Sequence, residues 1–196
     1  MCEVPVFYAT THGQTRRIAE VLARVLQGHG LTSTAIDAAS PQAAAANWDG
    51  ARGAIVGASL HAGRHQKQAA AFIARHRTWL NAHPAWFFSV SLGAASRNAG
   101  EAAAVQRLAA QFVESAGWHP QRISCVAGRL AYTQYGWLTR WMMRRIAAKE
   151  GGSTDTSRDQ EYTDWSAVAT FGRRYAEALL AEPPQGAAPV RLTTVA

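Results

Sequence analysis

Acidic residues are missing from two long stretches of this chain. Residues 50–100 contain no Asp or Glu but carry Arg52, Arg64, Lys67, Arg75, Arg77 and Arg97. Residues 121–149 again contain none, alongside Arg122, Arg129, Arg140, Arg144, Arg145 and Lys149. Solubility alone requires no such segregation of sign, so the bias implies an anionic partner: phosphate, carboxylates, lipid headgroups or nucleic acid. Cysteine is scarce. Cys2 and Cys125 make no disulfide framework, and Cys125, in an apolar run, reads as a small core residue. No run approaches the roughly 18 apolar residues of a membrane-spanning helix. The N-terminus passes straight into strand pattern without the signature of a signal peptide, so a reducing, cytosolic setting is expected. The chain also lacks G-x-G-x-x-G and G-x-x-x-x-G-K-S/T, which excludes a dinucleotide fingerprint and a nucleoside-triphosphate loop.

What is present is enough for one well-cored α/β domain. The chain has 196 residues, is 48% apolar, and carries a formal charge of +7 from 20 Lys and Arg against 13 Asp and Glu. The stretch that organises it is Thr10-Thr11-His12-Gly13-Gln14-Thr15. It follows an apolar run at residues 4–8 that reads as a buried strand. It precedes Ile18, Val21, Leu22, Val25 and Leu26, spaced as one face of an amphipathic helix. A strand-to-helix turn of this kind suits a phosphate, because free backbone N–H groups and the helix dipole both favour an anion. Thr10, Thr11 and Thr15 add hydroxyl donors, and Gly13 lets the backbone approach a ligand. On these residues alone, a capped turn with no ligand accounts for the pattern equally well.

The rest alternates strand and helix. Residues 32–38 form a polar second strand, residues 53–59 an apolar one of the kind buried in a parallel sheet, residues 86–92 the next and residues 122–127 the fifth. Residues 40–50 are a helix-compatible connection. Helices lie between the strands, with Ala69, Phe72, Ile73, His76 and Leu80 on one face and Val105, Leu108, Ala109, Phe112 and Ala116 on another. Asn98, three residues before Glu101, resembles a capping box. A last helix presents Val168, Phe171, Gly172, Tyr175, Ala176 and Leu179. The expected architecture is a doubly wound, five-stranded parallel sheet with helices on both faces. It occupies residues 1–182, with a long insertion after the fifth strand at about residues 128–161 and a loose tail at residues 183–196. Ligands of such sheets sit beyond the strand carboxyl ends, where strand order reverses. Three loops are expected there: residues 10–15, 59–65 and 91–97. One places a phosphate and the other two flank a flat ring.

These pieces together resemble the flavodoxin superfamily. Thr10, Gly13 and Thr15 match its Ser/Thr-x-Thr-Gly-x-Thr pattern for the FMN phosphate, with His12 and Gln14 as departures that still offer donors; a protonated His12 would add positive charge. Within the superfamily the chain is similar to the flavodoxin-like, quinone-dependent protoporphyrinogen oxidases from Val6 to about Ala176. The resemblance is carried by residues 12–16, by Ile55-Val56-Gly57-Ala58-Ser59, and by Ala127-Gly128 with Leu130 and Tyr132. It continues at Gly151-Gly152 with Thr154-Asp155-Thr156, and at Tyr162-Thr163-Asp164-Trp165. It implies FMN held by Thr10, Thr11, His12, Gly13, Gln14, Thr15, Ser59, Leu60, His61, Ser91, Leu92 and Gly93. It also implies oxidation of protoporphyrinogen IX in haem synthesis, with a respiratory quinone as acceptor and a peripheral position on the cytoplasmic face of the inner membrane. Arg64 and Arg97, with His61, are the candidates for contact with the substrate's propionates. The flavin carries the redox chemistry, so no side-chain acid or base is named. Competing readings are an NAD(P)H:quinone reductase, a flavodoxin-type electron carrier and a flavin-free binding module.

Within the insertion, Tyr132, Tyr135, Trp137, Trp141, Met142 and Met143 interleave with Arg140, Arg144, Arg145 and Lys149. Aromatic rings with long basic side chains suit a membrane surface and access to a membrane quinone. Homo-oligomerisation is the second reading of the stretch. Nucleic acid, on whose bases the rings would stack, ranks far behind, and no nucleic-acid partner is expected.

Overall fold

The computed structural model describes residues 3–96, 98–130 and 160–181. The strands are β1 (Val6–Ala9), β2 (Ala35–Asp37), β3 (Ala54–His61), β4 (Arg64–His65), β5 (Ala85–Ser91), β6 (Arg122–Ala127), β7 (Arg129–Leu130) and β8 (Gln160–Glu161). The helices are α1 (Gln14–Gly28), α2 (Pro41–Ala44), α3 (Lys67–Ala82), α4 (Ala99–Ser115) and α5 (Trp165–Ala181). Five strands run parallel in the order β2-β1-β3-β5-β6. Val6 lies opposite both Ala35 and Ile55, Ala54 opposite Ala85, and Trp86 opposite Arg122. Strand order reverses between β1 and β3, and that switch point is where an open α/β sheet holds its ligand.

Period-two alternation divides the core. Val6, Tyr8, Ile55, Trp86 and Phe88 point to one face and pack with Ile18, Leu22 and Leu26 of α1 and with Val168, Phe171 and Tyr175 of α5. Phe7, Ala9, Val56, Ala58 and Phe87 point to the other, against Phe72, Ile73 and Leu80 of α3 and Val113 of α4. The sheet admits the Phe88 ring only because Gly57 has no side chain. A β-carbon there would lie 2.0 Å from that ring. Phe88 is fully buried, and truncating a core Phe to Ala costs about 3–5 kcal/mol.

Several elements differ from the sequence expectation for physical reasons. The first strand begins at Val6 because Pro5 has no N–H for the ladder, although its carbonyl accepts from Ile55 N at 3.1 Å. The polar second strand shrinks to three residues at the sheet edge. Residues 40–50 yield only the single turn α2, capped by Ser40, whose hydroxyl accepts from Ala43 N at 3.1 Å. The stretch 61–65 is a hairpin, not an open loop. The insertion of residues 128–161 starts and ends as a ribbon, with Arg129 paired to Glu161 and Leu130 to Gln160. The aromatic and basic stretch at residues 132–149 lies outside the described residues, as do Arg97 and the tail.

Candidate cofactor site at the carboxyl edge of the sheet

The turn after β1 is built around Gly13. Its φ of +82° is left-handed and favours glycine, and as the N-cap of α1 it supplies no side-chain cap. The first-turn N–H groups of α1 therefore have neither an intrahelical partner nor a side-chain acceptor. The loop is closed from within: Gly13 N donates to Thr10 Oγ1 at 3.0 Å, and Arg17 N donates to the Gly13 carbonyl at 3.1 Å. One residue into the helix, Thr15 is fully buried, and its Oγ1 has no hydrogen-bond partner. A buried hydroxyl left unpaired costs about 1–3 kcal/mol, a cost that a phosphate oxygen seated in the loop would relieve. The residues present fit a phosphate ester.

Two of the loop residues have side-chain surroundings of their own. Gln14 was expected to offer its side chain to the phosphate. Instead its Nε2 donates to Glu161 Oε1 and, at 2.8 Å, to Thr163 Oγ1, while Arg17 donates to its Oε1 at 3.4 Å. This pull is strong because Thr163 in turn donates to the Ala127 carbonyl at 2.7 Å, which fastens α1 to the end of β6. The Gln14 side chain is thus engaged on the β6 and β8 side of the loop. His12 would add positive charge only if protonated. Burial first, and then the Arg129 guanidinium, lower its pKa below the ordinary 6.5 and disfavour the charged ring. It meets His61 edge-on, with ring centroids 5.2 Å apart, and partial desolvation of that surface ring, followed by His12, lowers the His61 pKa likewise.

The end of β3 turns through Ala62 (φ +46°) and Gly63 (φ +76°), both left-handed, so that Leu60 faces His65 and His61 faces Arg64. Two central residues of positive φ make the tight primed turn that matches strand twist. The hairpin holds His61 and Arg64 exposed at the edge, while Ser59 and Leu60 are buried at its base. After β5, the Ser91 hydroxyl accepts from Ala94 N at 3.2 Å and the Ser91 carbonyl from Gly128 N at 3.0 Å. Leu92 and Gly93 are half-buried and lead into a single 3-10 turn, Gly93–Ala95. A β-carbon on Gly93 would lie 2.9 Å from Val105, which keeps this loop tight against α4. The three expected loops thus follow the neighbouring strands β1, β3 and β5.

Sequence reading missed Gln66, whose Nε2 donates to Thr11 Oγ1 at 2.9 Å and to Ser59 Oγ. It also missed the tie from Gln14 through Thr163 and Glu161, although the block Tyr162-Thr163-Asp164-Trp165 had been singled out. Glu161 pairs with Arg17 at 3.0 Å, and the Arg17 guanidinium lies 5.4 Å from the Trp165 ring centre. Among the described residues no group of His, Cys, Asp and Glu could hold a metal ion.

A family model described as a flavodoxin domain matches residues 5–157. The chain belongs to the flavodoxin family. Within it, the chain is 33% identical over 174 residues to protoporphyrinogen IX dehydrogenase (quinone) of Escherichia coli strain K12, covering 87% of this chain and 93% of that protein. A protein of the same name from Leishmania major is 29% identical over 182 residues, covering 92% of this chain and 77% of the relative. Among solved structures, oxidised flavodoxin 2 from Bacillus cereus superposes with a TM-score of 0.53 at 14% identity, over 90% of this chain and 99% of that one. Flavodoxin 1 of the same organism gives 0.52 at 15% identity, over 89% and 97%. These two likenesses establish the fold.

Proposed function

We propose that this flavodoxin-family protein oxidises protoporphyrinogen IX to protoporphyrin IX, with FMN as its bound cofactor and a membrane quinone as electron acceptor. The observation that carries the reading is the 33% identity to a quinone-dependent protoporphyrinogen IX dehydrogenase across 93% of that enzyme's length. The open start of α1 supports FMN, because its uncapped N–H groups and the orphan Thr15 hydroxyl call for one phosphate monoester.

Bound flavin supplies the two-electron chemistry, used three times per porphyrin. The chain's own residues bind and orient. Thr10, Gly13 and Thr15 fix the phosphate. Arg64 on the hairpin and Arg97 after β5 attract the two propionates of the substrate. The test is anaerobic incubation of the FMN-loaded protein with protoporphyrinogen IX, followed by flavin absorbance. Bleaching, with colour restored by a quinone, is expected. Bleaching by NADPH and not by protoporphyrinogen would overturn the assignment.

The protein works peripherally at the cytoplasmic face of the membrane in this reading. The support is compositional: residues 132–149 carry Trp137 and Trp141 with Arg140, Arg144, Arg145 and Lys149, and no acid. No helix among the described residues is long and apolar enough to cross a membrane. Sedimentation with anionic vesicles is expected in the parent and lost on changing Trp137 and Trp141 to Ser. Binding absent from the parent would contradict it, and a change in oligomeric state in the double variant would point instead to self-association.

A further inference from the structure

We propose that Gln66 is a positioning residue of the cofactor site, which sets the Thr11 and Ser59 hydroxyls as donors toward the phosphate-bearing ligand. The proposal rests on the reading of this edge as an FMN site, and it adds the residue that fixes the polarity of that site.

Gln66 stands at the N-cap of α3, with φ −62° and ψ 139°, but its side chain makes no capping hydrogen bond, and the first turn of α3 holds no acidic residue. A helix start ordinarily gains about 1 kcal/mol from a side-chain cap. This side chain reaches the other way, across to the loop after β1 and to the last turn-ward residues of β3. Its amide nitrogen has two protons and meets two oxygens, Thr11 Oγ1 at 2.9 Å and Ser59 Oγ. Ser59 is 6% exposed, whereas Thr11 lies at the surface of the phosphate loop.

The chemistry of the groups gives the arrangement its direction. An amide nitrogen only donates, and a hydroxyl that accepts from it keeps its own single proton for another partner. An anion takes donors only. With Gln66 donating, Thr11 is a donor toward the loop, and the successive hydrogen bonds polarise one another. Gln66 Oε1 is buried without a hydrogen-bond partner. Turning the amide over would place the nitrogen in that position. A stranded N–H is a costlier orphan than a carbonyl oxygen, so the observed orientation is the favoured one. In the reversed orientation Oε1 would draw both hydroxyl protons away from the ligand.

The test is a titration of FMN, and separately of riboflavin, into the flavin-free protein, followed by flavin fluorescence. The proteins are the parent, Gln66→Met, Thr11→Val and the double variant. Met keeps the length of the side chain and removes its hydrogen bonds. Gln66→Met and Thr11→Val should each weaken FMN about tenfold or more, the range of one lost charge-assisted hydrogen bond. The double variant should be weakened by less than the product of the two, because no Thr11 hydroxyl remains to orient. Riboflavin, which has no phosphate, should change less than twofold. A Gln66→Met protein with parental FMN affinity, or with equal losses for FMN and riboflavin that multiply with those of Thr11→Val, overturns the proposal alone. A parent that binds neither flavin overturns the cofactor reading together with it.

Discussion

Two kinds of helix start share the carboxyl edge of the sheet. α4 and α5 are closed by their own side chains: Asn98 Oδ1 accepts from Gly100 N at 2.8 Å and Glu101 N at 3.3 Å, and Asp164 Oδ1 accepts from Ser166 N at 2.9 Å and Ala167 N at 3.0 Å. α1 and α3 are not. Gly13 has no side chain to offer, and Gln66 points its amide elsewhere. The open pair flanks the β1–β3 switch point, and the closed pair follows β5 and β8. Stability favours a capped start, so an uncapped one beside buried, unpaired polar atoms marks where the protein leaves room for a ligand. Under the proposed function the closed starts serve folding and the open ones serve binding.

Closing the open start should have the largest effect. Gly13→Asp supplies an acceptor to the first turn of α1 and sets a carboxylate where the phosphate belongs. Asp tolerates left-handed backbone better than most residues, so the protein should still fold. FMN affinity should fall by on the order of 100-fold or more, since both a donor set and the sign of the local charge are lost. A fluorescence titration reads this, and retained tight binding would break the comparison.

A second prediction concerns acid. Burial lowers the pKa of His65 from 6.5 to about 4, with its Nε2 2.8 Å from Ser89 Oγ and its ring stacked on Phe112 at 4.3 Å. The unfolded ring binds its proton at the higher pH, so between those two values the unfolded chain holds more protons. Stability should therefore fall as the pH drops below 6.5 and stop falling through this group near 4, with a slope of about 1 kcal/mol per pH unit at most. Thermal melts of the parent and of His65→Phe across that range should diverge, the variant losing less.

Thr15→Val separates binding from folding. It removes the buried orphan hydroxyl and keeps the volume. FMN binding should weaken by about 1–2 kcal/mol, while the flavin-free protein melts at the parental temperature or above it. Asp164→Ala should do the reverse, lowering the melting temperature by a few degrees and leaving FMN affinity unchanged. Hydrogen bonds from Ala167 N and from Ser166 hold the Asp164 pKa below 3.8, so its contribution is present at neutral pH and fades only as the pH falls through that depressed value.

Much of this was legible from the residues. Strong periodicity with a consistent apolar face located α5 by Val168, Phe171, Gly172, Tyr175, Ala176 and Leu179, all of which are buried. The largely apolar β3 and β5 read as central strands because their runs are continuous and not alternating. Asn98 showed as a cap because its type and spacing serve no other purpose there. The hairpin after β3 was hidden, since its turn is Ala62-Gly63 where Asn-Gly is the usual signal. Gln66 was invisible because a lone Gln before a helix carries no periodicity and its partners are 55 and 7 residues away along the chain. The side-chain partners of Gln14 were hidden for a related reason. Sequence distance gave no hint that Thr163, 149 residues on, would take its amide.

The open start of α1 as a phosphate site is tested most directly by comparing FMN with riboflavin on the parent protein. The two differ only in the phosphate. FMN should bind at least about 100-fold more tightly, the worth of two or more charge-assisted hydrogen bonds. Equal affinity for the two flavins would show that the uncapped turn at Gly13 holds no phosphate.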